Sequence, residues 1–171
     1  MEQARMPHQP LLPLEPLQKW GLYFVGPLTP VGARTGNMYI LIVTDYYTKW
    51  VEAKLLRDNT ATSIAKLLYE HIWCRFGCPI ELISDQGGHF LNAVIDGLTH
   101  HYAVVHKKST SYYPHANGLA ESTNKTLQNI LRKIVNMNRT NWDTKLRSAL
   151  WAYRMSFETS VQATRSASRT G

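Results

Sequence analysis

Asp85 and Glu121 are the residues on which any chemistry of this chain would turn. Asp85 follows a short apolar run, Ile80-Glu81-Leu82-Ile83, and precedes the turn-prone Gln86-Gly87-Gly88, so its carboxylate is displayed at the C-terminal lip of a strand. Glu121 stands just inside a helix, because Asn117 suits an N-cap and Leu119, Leu127, Ile130, Leu131 and Ile134 recur at helical spacing. On that helix Glu121 shares the opposite face with Lys125, Gln128 and Arg132. Carboxylates converging from a strand end and a helix start would bind Mg²⁺ or Mn²⁺, hard cations that take oxygen ligands. Two such ions, roughly 3.5–4 Å apart, activate an attacking oxygen and steady the leaving one in an in-line displacement at phosphorus. Asp85 and Glu121 are thus both the candidate catalytic residues and the candidate metal ligands. The candidate nucleic-acid contacts are Lys107 and Lys108, Asn117 at the helix start, and Lys125 and Arg132 beside Glu121, which would neutralise or position phosphates. The same residues also describe a solvated helix face with a Glu–Lys pair worth a few tenths of a kcal/mol. Spacing alone does not separate these two readings.

The elements that must position the pair can be read along the chain. The 171 residues, 44% of them apolar, suit one domain with a real core. Prolines 7, 10, 13 and 16 make residues 1–18 an extended lead-in, followed by a core domain over 19–157 and a divergent tail over 158–171. Trp20 to Val25 reads as a strand stopped by Gly26-Pro27, Gly32 to Gly36 as a turn, and Met38 to Thr44 as a strand covered on both faces. Trp50 to Ala53 pairs back as the next strand. From Thr60 the period changes, with Ile64, Leu67, Leu68 and Ile72 marking a helix that Gly77-Cys78-Pro79 ends. A strand over Ile80 to Ile83, a helix over Phe90 to His101 and a strand over Ala103 to His106 follow. Residues 109–118 read as a loop, and a last helix begins at Asn141-Trp142 and fades beyond Phe157. Three antiparallel strands, then two strands alternating with helices, make an α/β protein with a mixed five-stranded sheet flanked by helices.

Charge and composition narrow the partners. Nineteen basic residues against twelve acidic give a net charge of +7, which favours an anionic partner such as DNA. No run approaches the length of a membrane span and no secretion signal opens the chain, which predicts a soluble intracellular protein with no membrane partner. Cys74 and Cys78 have no second pair or finger-spaced histidines, so they read as two reduced cysteines at a helix end rather than a zinc site.

The motifs Trp20-Gly21-Leu22, Gly26-Pro27, Asp45 through Ala53, Phe76-Gly77, Ser84 through Phe90, Tyr113 through Glu121 and Trp142 through Arg154 resemble one family. It is the integrase catalytic core of gypsy-type long-terminal-repeat retrotransposons, of the plant-like kind. The resemblance runs over residues 14–164 and includes the separation of Asp85 from Glu121. It implies a ribonuclease H-like fold, Mg²⁺ or Mn²⁺ held by two aspartates and a glutamate, and removal of nucleotides from DNA ends that are then joined to target DNA. It also implies an assembly of identical subunits, a nuclear location, and a larger polyprotein of which this chain is a fragment. The departures carry as much weight. Tyr23 occupies the position of the first family aspartate, replacing a group ionised at neutral pH by a phenol with a pKa near ~10. Asp45 and Glu52 are the nearest acidic candidates to replace it, and Asp45 is acidic in the family beside an intact triad, hence structural. His89 and His115 stand where glutamines are usual, and Arg165 to Gly171 departs from the family's continuation. These departures predict a degenerate core that binds nucleic acid without strand transfer. The alternatives are a residually active metal-dependent nuclease and a host-reused interaction domain without enzymatic activity.

Overall fold

The computed structural model describes residues 15–85, 87–88, 90, 92–108, 125–134, 136–137 and 139–169. Strands β1 (Lys19–Val25), β2 (Tyr39–Asp45) and β3 (Val51–Leu56) form an antiparallel meander. Helix α1 (Ala61–Leu68) starts at Thr60, whose side chain accepts from the Ser63 backbone N–H. It continues through a π-helical turn (Tyr69–Trp73) into a final turn (Cys74–Phe76), and Gly77, at φ +91°, ends it. Strand β4 (Glu81–Ser84) then returns beside β1 in parallel, and β5 (Val105–Lys108), reached through helix α2 (Ala93–His101), pairs in parallel with β4. The sheet order is β3-β2-β1-β4-β5. The expected α/β architecture, a mixed five-stranded sheet with helices on both faces, is therefore the observed one. Helix α3 covers residues 125–134, and α4 (Leu146–Arg169) is entered through a 3-10 turn (Arg139–Lys145).

Alternation along the strands divides the core in two. Trp20 and Leu22 of β1 and Leu41 and Val43 of β2 pack with α1 and α2, against Ile64, Leu68 and Ile95. Ile40 and Ile42, with Val51 and Ala53 of β3, pack on the other face against Leu127 and Leu131 of α3 and Trp142, Leu146 and Tyr153 of α4. Tyr23 and Val25 lie on this second face. Gly21 shares it, and its missing side chain has a use: a Cβ there would stand 2.8 Å from the Tyr46 ring, which lies across β1.

Three local differences from the sequence reading have physical causes. Helix α2 begins at Ala93 rather than near Phe90, because the Asn92 side chain caps it by accepting from the backbone N–H groups of Val94 and Ile95. Strand β5 starts at Val105, because Ala103 takes φ +54°, outside the β region. Helix α4 runs on to Arg169, well past Phe157: no glycine or proline interrupts residues 146–169, so helical hydrogen bonding continues where the apolar stripe has stopped.

Two buried polar groups hold the meander and its edge. Asp45 is fully buried and accepts from the Leu17 backbone N–H (3.1 Å), the Thr48 backbone N–H (2.8 Å) and the Thr48 hydroxyl (2.6 Å). Glu52 accepts from the Trp50 indole (2.7 Å) and pairs with Arg75 of the α1 terminus and Arg154 of α4, both at 3.3 Å. One carboxylate on the edge strand thus ties down both helix layers.

At the other side of the sheet, Ser84 is buried and its hydroxyl lies 2.6 Å from His106 Nε2 and 3.1 Å from the Asp85 carbonyl. A ring that donates from Nε2 to the hydroxyl, which in turn donates to the carbonyl, satisfies both contacts. Burial first, then the Lys108 charge, pushes the His106 pKa down, and Asp96 pulls the other way.

Two outcomes follow from these packing arrangements. Asp45→Ala strips charge-assisted hydrogen bonds from a buried turn and should lower the unfolding free energy by about 2–3 kcal/mol in urea titrations. For His106, the folded state holds the ring neutral and the unfolded chain binds the proton more readily. Stability is then lost as pH falls below the ordinary histidine value near ~6.5, and the loss levels off below the folded pKa. His106→Asn should shrink the drop in urea midpoint measured between about pH 7.5 and about pH 5.5.

Candidate active site at the strand lip

The site is built by the parallel pairing of β1 with β4. The ladder runs Lys19 with Glu81, Trp20 with Leu82 and Gly21 with Ile83. Continued by two residues, it brings Tyr23 beside Asp85 at the C-terminal ends of both strands. The phenol responds to that neighbour. Its pKa is raised, first by burial and then by the negative charge of Asp85, so Tyr23 is neutral at physiological pH. Gln128 of α3 donates from its side-chain amide to the Tyr23 hydroxyl oxygen. Asp85 itself is exposed and accepts from the Gly87 backbone N–H at 2.9 Å, an Asx turn that orients the carboxylate on the lip.

Neither acidic candidate near the meander reaches the lip formed by Tyr23 and Asp85. Asp45 alternates with Leu41 and Val43, so it sits on the opposite face of the sheet from Tyr23, with its oxygens committed to Leu17 and Thr48. Glu52 belongs to β3, two strands from β1, where two arginines and an indole claim it.

Mg²⁺ or Mn²⁺ would need a set of anionic oxygens here. The described residues offer one carboxylate, Asp85, beside a neutral phenol already engaged by an amide, and no group of three His, Cys, Asp or Glu among them is placed to hold a metal ion. A protonated phenol is a poor ligand for a hard divalent cation. The described residues therefore do not fit a two-ion centre. Glu121, Asn117, His89 and His115 lie outside the described residues.

The remaining predicted contacts are distributed unevenly. Lys107 projects to the same face as Ile83 but is paired with Glu81 at 3.1 Å, and Glu81 also holds Lys19 at 3.3 Å. Lys108 aligns with Ser84 at the end of β5 and is exposed. Lys125 is exposed on α3, and Arg132 lines a cavity with Tyr23 and Gln128. The structure thus brings Tyr23, Asp85, Gln128 and Arg132 to one lip. Gln128 was visible in the sequence only as a polar member of the Glu121 face, and the Ser84–His106 contact left no sequence signal because it joins neighbouring parallel strands. Cys74 and Cys78 are free and exposed.

Comparison with known proteins agrees with this architecture. The family profile described as the integrase core domain matches residues 15–114. The Gag-Pol polyprotein of koala retrovirus is 34% identical over 132 residues, 76% of this chain and 8% of the polyprotein. That of avian reticuloendotheliosis virus is 30% identical over 135 residues, 79% of this chain and 12% of the polyprotein, so the chain spans a small part of these relatives. Among solved structures, the catalytic core domain of BIV integrase superposes with TM-score 0.60 at 19% identity, covering 78% of this chain and 81% of that one. A chain of the simian T-cell lymphotropic virus intasome in complex with PP2A regulatory subunit B56 gamma superposes with TM-score 0.63 at 22% identity, covering 87% of this chain and 52% of that one. Helix-flanked β3-β2-β1-β4-β5 topology is therefore the shared ribonuclease H-like fold, and the matched profile over more than half of its length places this chain in the integrase core domain family.

Proposed function

We propose that this chain is a DNA-binding integrase core that has lost metal-dependent strand transfer. The observation that carries the reading is the neutral Tyr23 phenol beside Asp85, where the family resemblance calls for a second carboxylate. Removing one anion from the lip removes both a bridging ligand and much of the field that would concentrate divalent cations there. Residual nuclease activity would need a substitute acid, and Asp45 and Glu52 are each committed elsewhere. The motif pattern supports descent from a gypsy-type, plant-like element, and a DNA substrate supports a nuclear location. Affinity for DNA is supported by the net charge of +7 and by exposed Lys108, Lys125 and Arg132 around the lip. A self-associating core is supported by Trp151 and Met155, 65% and 44% exposed and four residues apart on α4.

Strand-transfer and nicking assays on labelled duplex DNA, with Mg²⁺ and then Mn²⁺, test the loss. The unmodified chain should be inactive, Tyr23→Asp should gain activity, and adding Glu121→Gln to Tyr23→Asp should silence it. Activity of the unmodified chain would overturn the reading. Binding is tested separately by the salt dependence of duplex affinity, where Lys108→Ala and Lys125→Ala should each reduce the slope by roughly 0.9. A slope near zero in the parent chain would refute a DNA-binding role.

A further inference from the structure

The lip carries a cavity of about 300 Å³ between the C-terminal half of β1, the segment that follows it and α3. We propose that this cavity is a binding site for a small aromatic monocarboxylate, a ligand of benzoate size. Its floor is Val25, Leu28 and Leu131, three apolar side chains packed against the second core. Its rim is Tyr23, Gln128, Arg132 and Asn136.

Donors outnumber acceptors on that rim. Gln128 donates to the Tyr23 oxygen, which leaves the phenol's own proton free to be given to a ligand. Among the described residues, Arg132 forms no ion pair and no acidic side chain lines the cavity. An anionic head group is therefore what the rim would recognise, and a planar carboxylate matches a guanidinium fork better than a spherical anion does. Asp85 lies beyond Tyr23 and repels an anion from that end, which places the head group against Arg132 and Asn136. The rest of the ligand must then cover the apolar floor. A volume at the low end of the range for ligand pockets, roughly 300–1,000 Å³, admits one ring and one head group rather than a nucleotide. This assignment does not depend on DNA binding.

Methyl-labelled NMR of the full chain tests it with four probes: benzoate, benzamide, benzylamine and inorganic phosphate. Benzoate should shift the methyl signals of Val25, Leu28 and Leu131 with a Kd on the order of 1 mM. Benzamide should bind more weakly, and benzylamine and phosphate should leave those methyls unmoved. Arg132 is exposed, so Arg132→Gln should fold normally while weakening benzoate by about fivefold or more and leaving benzamide unchanged. The proposal is overturned if benzoate produces no methyl shifts at roughly 10 mM. Equal responses to benzoate and phosphate, or an unchanged benzoate titration in Arg132→Gln, would overturn it as well.

Discussion

The parallel pairing of β1 with β4 is the contact on which the molecule depends. It is where an antiparallel meander changes into a parallel sheet, and it needs the whole α1 crossover to reach it. Trp20 and Leu82, partners in that ladder, are both almost fully buried, so the register is set by the first core rather than by anything at the lip. A slip of one residue would turn Trp20 and Leu22 out of that core and carry Tyr23 away from Asp85. The position of the site is therefore a by-product of packing and does not depend on the chemistry of the groups at the lip.

The electrostatics of the lip follow from the same register. Two carboxylates at this distance repel each other and require cations to hold them together. A carboxylate and a neutral phenol do not. Tyr23 instead finds an amide on α3, and its ring joins the second core beneath that helix. Position 23 is thus held by burial and a hydrogen bond. Beside α3 lies a cavity whose described lining carries one cationic side chain, Arg132, and no acidic one.

The parts of this fold with local rules were legible in the sequence. The Gly26-Pro27 stop placed the end of β1, an almost wholly apolar run placed β2, the change of period at Thr60 placed α1, and the Gly77-Cys78-Pro79 stop placed its end. Asp45 was recognisable as structural, and it caps the turn between β2 and β3. What could not be read depends on contacts distant in sequence. The Gln128 amide on the Tyr23 phenol, the two arginines on Glu52 and the His106 ring on Ser84 each join elements far apart along the chain. Lys107 illustrates the limit: its charge was evident, but its partner Glu81 appears only when β4 and β5 are laid side by side. The extension of α4 to Arg169 was missed for a different reason, since an amphipathic stripe reports burial and a helix can outlast its buried face.

On the function proposed above, a phenol at position 23 leaves the lip unable to hold divalent cations. Electron paramagnetic resonance of Mn²⁺, counting free ion in titrations of the unmodified chain and of Tyr23→Asp, measures this directly and without any reaction. The unmodified chain should show no saturable Mn²⁺ binding at concentrations where Tyr23→Asp binds. Saturable binding of two Mn²⁺ ions by the unmodified chain, equal to that of Tyr23→Asp, would contradict it.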